Sequence, residues 1–233
     1  MVSSAALRVS NDIHYRKVDS FEDLLGGNTY AFLSENVLLF EDKDGGYVVF
    51  TIDPKATYTV EDYMELPEGA PFELLNGKLT YMPSPKDFHQ AVSLNLATAL
   101  HVFVRKNKLG IIREAPFDVH LSKKNIFQPD ILFLSNDRKE RRKDWIYGAP
   151  DLVVEIISKG REKIDRKTKF KQYEKHGVLE YWLIDLAEKT VEVYEPETGK
   201  FVLREKLTTG GTLASSVVAG FEIPISEIFE TEE

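Results

Sequence analysis

Residues 152–157 read Leu-Val-Val-Glu-Ile-Ile. A short run that is apolar at both alternating positions and rich in β-branched residues fits a strand covered on both faces, at the centre of a layered sheet. The same run holds a carboxylate where a neutral apolar side chain would pack better. Burying an unpaired carboxylate is costly. Glu155 therefore meets a cation, pairs with a buried Arg or Lys, or reaches solvent at a strand end. Glu73 poses the same problem in Phe-Glu-Leu-Leu, and Asp130 opens another apolar run, Asp130–Leu134, after Gln128-Pro129. If the strands of Asp130 and Glu155 share a sheet, the two acids can converge on a hard divalent ion. Mg²⁺ takes a few carboxylates and keeps several waters. It can acidify a bound water and stabilise charge developing at phosphorus.

The remaining pattern alternates strands and helices and ends β-rich, which predicts an α/β sandwich. Residues 1–57 read as an N-terminal extension of unknown role, with a short helix at Phe21–Leu25 and strands at Ala31–Phe40 and Gly46–Ile52 around a turn at Asp42–Gly46. Asp53-Pro54 marks a boundary, and residues 58–233 form the main domain. Thr59 suits a helix N-cap, with Asp62 in the capping-box region. Asn76-Gly77 between Phe72–Leu75 and Lys78–Met82 is a strong hairpin signal. Val92, Leu96, Ala99, Leu100 and Phe103 recur at helical spacing within His89–Lys106, and Gly110 is expected to end that helix. Strands are expected at Ile111–Leu121, Asp130–Leu134, Leu152–Ile157 and Glu180–Asp185. A charged helix spans Arg161–Lys175, and a final hairpin pairs Thr190–Tyr194 with Phe201–Glu205.

In the charged helix, Asp165, Lys169 and Tyr173 stand at i, i+4 and i+8 and so share one face. Lys169 can orient a water or stabilise charge at phosphate. The plainer reading is an i,i+4 ion pair with Asp165, worth about 0.3–0.5 kcal/mol. The chain carries a net charge of −8, yet Arg138–His176 holds thirteen Lys/Arg against seven Asp/Glu, a balance of +6 that leaves −14 elsewhere. That stretch is either a polyanion footprint or a solvated helix surface. No cysteine is present, which excludes disulfides and thiolate metal sites. No apolar run reaches membrane-spanning length and the first residues do not resemble a secretory signal, so the expectation is a cytoplasmic protein. Walker, Rossmann and G-x-S-x-G motifs are absent. His89 starts its helix as a lone histidine, the kind that more often caps or packs than ligates. Trp145 and Trp182 read as packing residues, since no aromatic cluster flanks them in sequence.

Several stretches together resemble the Uma-two family of restriction-endonuclease-like proteins, within the PD-(D/E)xK nuclease superfamily. They are Phe72-Glu73-Leu74-Leu75-Asn76-Gly77, Pro83-Ser84-Pro85 with His89, Gln128-Pro129-Asp130, Pro150–Ser158, and Asp165-x3-Lys169-x3-Tyr173-x3-Gly177-Val178-x-Glu180-Tyr181-Trp182. The resemblance implies a central mixed β-sheet flanked by helices and a Mg²⁺ or Mn²⁺ site. In it Asp130 is the PD aspartate, Glu155 the second acid and Glu73 an extra acidic position, all three being metal ligands. Where the superfamily carries a lysine two residues after the second acid, this chain has Ile157; Lys169 matches the lysine that the family carries on the following helix. Asp130, Glu155, Lys169 and Glu73 are thus the expected catalytic residues, and Tyr173, Asp165 and His89 the expected substrate contacts. The implied activity is metal-dependent endonucleolytic hydrolysis of DNA, by a homodimer if both strands are cut. The alternative is a nuclease-fold module that binds nucleic acid or assembles with proteins without cutting.

Overall fold

The structure, a computed structural model, describes residues 7–8, 13–18, 37–41, 47–66, 69–157, 160, 162 and 164–231. Its contacts divide the chain into two units: Met1–Met82 with Lys123–Asn125, and Pro83–Ser122 with Ile126–Glu233.

In the first unit, strands β1 (Leu7–Arg8), β2 (Ile13–Val18), β3 (Val37–Glu41) and β4 (Tyr47–Ile52) form an antiparallel sheet of order β1-β2-β4-β3. The helix expected at 21–25, the turn at 42–46 and the start of the strand expected at 31–40 lie outside the described residues. Helix α1 (Val60–Met64) begins as its sequence predicts. The Thr59 hydroxyl accepts from the Asp62 N–H at 3.4 Å, and the Asp62 carboxylate accepts from the Thr59 N–H at 2.8 Å, so two otherwise orphaned helix donors are satisfied. Strands β5 (Phe72–Leu75) and β6 (Lys78–Tyr81) make the expected hairpin. Its turn residues have φ of +51° at Asn76 and +77° at Gly77, the twist that suits a two-residue hairpin loop.

The second unit opens with helix α2 (Asp87–Asn107). Lys108, at φ +53°, closes this helix, so the stop falls two residues before the expected Gly110. Gly110 instead begins strand β7 (Gly110–Glu114), where an added Cβ would come within 2.1 Å of the Leu134 carbonyl oxygen. The long strand expected over 111–121 is broken into β7 and β8 (Val119–Ser122); Pro116 between them has no N–H to give to a ladder. There follow β9 (Asn125–Phe127), whose first residue is grouped with the first unit, β10 (Ile131–Ser135), a 3-10 segment (Asn136–Arg141), β11 (Ile146–Tyr147) and β12 (Leu152–Ile157). The charged segment is π-helical over Ile164–Lys169 and becomes α-helix α3 only at Phe170–His176, where Gly177 ends it at φ +82°. Strands β13 (Glu180–Asp185), β14 (Thr190–Glu197), β15 (Lys200–Leu207), β16 (Thr212–Ala214) and β17 (Glu222–Pro224) and helix α4 (Ile225–Ile228) complete the unit.

The central sheet runs β15-β14-β13-β12-β10-β7. It is mixed: β12 and β13 are parallel, and the other pairs antiparallel. Strand alternation gives its two faces different chemistry. One face presents Ile131, Phe133, Leu152, Val154, Ile156, Trp182, Ile184, Val191 and Val193 to Val92, Leu96, Leu100 and Val104 of α2, all buried in one core. Each such side chain contributes roughly 1.5–3 kcal/mol by leaving water. The other face carries the acids. Among the described residues no helix is long and apolar enough to cross a membrane.

Candidate active site

Ile131 pairs with Val154 and Leu132 with Val153 in the antiparallel β10–β12 ladder. One further step sets Asp130 opposite Glu155, and directly opposed residues point to the same face. The Asp130 carboxylate leans onto β12, where Oδ2 accepts the Ile156 N–H at 2.6 Å. This bond holds Asp130 beside Glu155 and leaves Oδ1 toward His89, whose Nε2 lies 3.5 Å away. The Asp130 side chain is 18% exposed, so water reaches it.

Glu155 is 3% exposed. Of the three fates open to it from sequence, the structure shows pairing with a buried cation. Lys169 Nζ stands 3.0 Å from both carboxylate oxygens, and the Tyr173 hydroxyl donates to Oε1 at 2.6 Å. Ile157 shares the face of Glu155 two residues on, where a lysine of the superfamily pattern would point. Lys169 brings its ammonium to that face from the segment that follows. The backbone that carries Asp165 and Lys169 is π-helical rather than α-helical, and both residues are buried. The wider π turn, often found at functional positions, accompanies that inward placement. Tyr173, fully buried, commits its hydroxyl to Glu155, and the Asp165 carbonyl accepts from the Tyr181 hydroxyl at 3.3 Å. Tyr173 thus supports the acid Glu155 directly.

His89, in the first turn of α2, is buried against Asp130. Burial lowers the proton affinity of its ring, but the hydrogen bond and charge of Asp130, with the Ile156 backbone and the Asp165 charge, outweigh it, and its pKa is raised above the ordinary histidine value. Burial pushes the Tyr181 phenol well up, and the charges of Glu155, Asp165 and Asp130 push the same way, so Tyr181 stays protonated as a donor. Glu73 belongs to the first unit, where its side chain in β5 is fully buried.

The same face extends beyond the expected residues. Arg166 bridges Glu192 at 2.7 Å and Asp185 at 3.1 Å. Burial works against ionised Glu192, but the Arg166, Tyr194 and Lys206 bonds prevail and lower its pKa. Tyr194 is pushed up to about 12, by burial first and then by Glu192. Glu192 was detectable in the sequence as the polar member between Val191 and Val193; Arg166 gave no signal of its own. Trp182 is fully buried, as expected. Trp145 is different: spatially it belongs to an aromatic cluster with His120 and Tyr147, assembled from two strands and so hidden from a reading along the chain.

The mixed sheet flanked by helices is a restriction-endonuclease-like fold, and Asp130 and Glu155 stand at the end of its central strand pair. The chain is similar to the crystal structure of a protein from Anabaena variabilis described as "a putative nuclease belonging to DUF820", with a TM-score of 0.62 and 23% identity over 73% of this chain and 97% of that one. The family model described as "Uma2: Putative restriction endonuclease" matches residues 60–226, and the chain belongs to that family. A search of the curated proteins returned no match.

Proposed function

We propose that the protein is a divalent-metal-dependent endonuclease that hydrolyses phosphodiester bonds in DNA at the face holding Asp130 and Glu155. The observation that carries this reading is their cross-strand placement, with Lys169 beside one acid and His89 beside the other. Membership of a family described as restriction endonucleases supports the nuclease class.

The donor set suits a hard cation. Among the described residues no group of three or more His, Asp and Glu is placed to hold a metal ion; Asp130 and Glu155 would hold Mg²⁺ or Mn²⁺ as two carboxylates, with waters filling the rest of the ion's shell. When bound there, such an ion supplies an acidified water and offsets charge at the scissile phosphate. The chain's own groups do the rest. The Ile156 N–H and His89 fix the Asp130 carboxylate. Tyr173 fixes Glu155. The Lys169 ammonium, held out of water, orients the attacking water or neutralises the phosphate, where a fixed charge acts more strongly than in solvent. Basic residues of 138–175 hold the backbone phosphates. Cutting both strands calls for a two-fold homodimer, working in the cytoplasm.

The test is cleavage of supercoiled and branched DNA with Mg²⁺, Mn²⁺ or EDTA, beside Asp130→Ala. Metal-dependent nicking lost in the variant supports the reading; EDTA-resistant cleavage, or equal cleavage by the variant, overturns it. One observation favours a second reading, a module that binds without cutting: Lys169 contacts both oxygens of Glu155. In that case DNA binding persists with no cleavage under any metal.

A further inference from the structure

The second unit carries an aromatic and basic ridge that the carboxylate site does not use. His120 of β8 stacks on Tyr147 of β11, with ring centroids 4.8 Å apart and planes at 28°. Trp145 lies 5.4 Å from the same imidazole at 35°. The two strands are parallel and place His120 opposite Tyr147. Tyr147 is 40% exposed, and the Lys143 ammonium stands 5.4 Å from its ring centroid. His120 is buried, and its Nε2 meets no hydrogen-bond partner among the described residues. Burial lowers its pKa despite Asp118, which favours the neutral ring stacked beneath Tyr147.

Arg142 stands across an isolated antiparallel bridge from Ile146, the residue between Trp145 and Tyr147. Arg142 is exposed. Arg113 is held below the usual guanidinium range, first by burial and then by the charge of Arg142. Arg113 hydrogen-bonds the Ile112 carbonyl at 2.7 Å and lies 5.9 Å from the Phe117 ring. Among the described residues neither arginine has a carboxylate partner. An arginine without a carboxylate partner can take a phosphate through its guanidinium fork. The pair is also connected to the acids. Arg113 is in register with Leu132, two residues after Asp130, so β7 sets it on the carboxylate face. Gln128, two residues before Asp130, donates to Asp118, two residues before His120, at 2.8 Å.

We propose that this ridge is a nucleotide subsite in which an unpaired base stacks on Tyr147 and an adjoining phosphate lies between Arg113 and Arg142. The proposal rests on the nucleic-acid reading above. An unpaired base is specified because a duplex keeps its base faces covered by stacking. Aromatic faces combined with a positive groove are how proteins hold single strands.

The test is fluorescence anisotropy in EDTA with a labelled oligothymidylate of about twelve residues, within the span that such grooves cover, and with a fully paired hairpin. Tyr147→Ala should weaken single-strand binding by about tenfold or more, while Tyr147→Phe retains it and hairpin binding changes by less than about twofold. Arg142→Ala should weaken binding to both and reduce the salt slope by about one. Tyr147→Ala should leave Mn²⁺-dependent hydrolysis of bis(4-nitrophenyl) phosphate, which has no base, unchanged. Single-strand binding that is equal in Tyr147→Ala and wild type, or lost equally in the Phe variant, overturns the subsite. Wild type that hydrolyses the small diester but binds no oligonucleotide overturns the subsite alone. Tyr147-dependent binding without any hydrolysis supports the subsite and overturns the catalytic reading.

Discussion

Two Pro-Asp pairs stand at opposite ends of the same antiparallel strand pair. At one end Asp130 accepts the Ile156 N–H of β12 at 2.6 Å. At the other, Asp151 accepts the Ser135 N–H of β10 at 2.7 Å. Locally they are near mirror images, each a carboxylate closing the ladder of its neighbour. Their surroundings separate them. Asp151 meets the Arg138 guanidinium at 3.2 Å and its side chain is 7% exposed; Arg138 also spends donors on the carbonyls of Ala149 and Pro150. That charge is matched and closed in. Asp130 meets a histidine, keeps access to water, and has a second carboxylate beside it across the strands. A shared dipeptide thus serves architecture at one end and, in the function proposed here, chemistry at the other. The neighbours decide which.

Substitutions can break this contrast. Asp130→Asn keeps an acceptor for the Ile156 N–H but removes the charge, so metal-dependent DNA cleavage should fall by roughly a thousandfold or more with the melting temperature little changed. Comparable loss from Asp151→Asn would erase the distinction. Next in size is Lys169→Met, which leaves Glu155 buried without its cation. It should cost about 3–5 kcal/mol in urea unfolding, and Glu155→Gln in the same chain should recover much of that. If the double variant is no more stable than Lys169→Met, the two side chains are not coupled as described. Asp151→Ala should cost about 2–3 kcal/mol through lost charge-assisted hydrogen bonds, while DNA cleavage by the folded fraction stays near wild type.

The smallest effect is one of pH. The pKa of His89 is raised by Asp130 over the opposing effect of burial. Protonation of that ring therefore stabilises the fold fully below the unfolded value of about 6.5, and the contribution is lost as pH rises through the higher folded value. Melting curves between about pH 5 and 9 should show this decline in wild type and a flatter profile in His89→Gln. A stability gain across the same window that depends on His89 would reverse the sign of the argument.

Much of the fold was legible from the chain itself. The Thr59 cap, the Asn76-Gly77 turn and the two-faced apolar run of β12 around Glu155 each follow from local chemistry, and all three stand as read. Errors arose where distant parts decide. Gly110 looks like a helix stop, but the approach of the Leu134 carbonyl is what requires glycine there. Asp165 and Lys169 have α-helical spacing, yet the backbone there is a π turn, and Lys169 reaches Glu155 of β12. The acids themselves stood out because a carboxylate in an apolar run demands a partner. Arg166, Asp185 and the ring cluster around His120 gave no such sign, since each acquires its meaning from residues brought together across strands.

The central claim is that Asp130 and Glu155 offer one shared cation site. Calorimetric titration of the metal-free protein with Mn²⁺, beside Asp130→Ala, tests it most directly. The account predicts a saturable heat in wild type that disappears in the variant; the same heat in both proteins, or none in either, would contradict it.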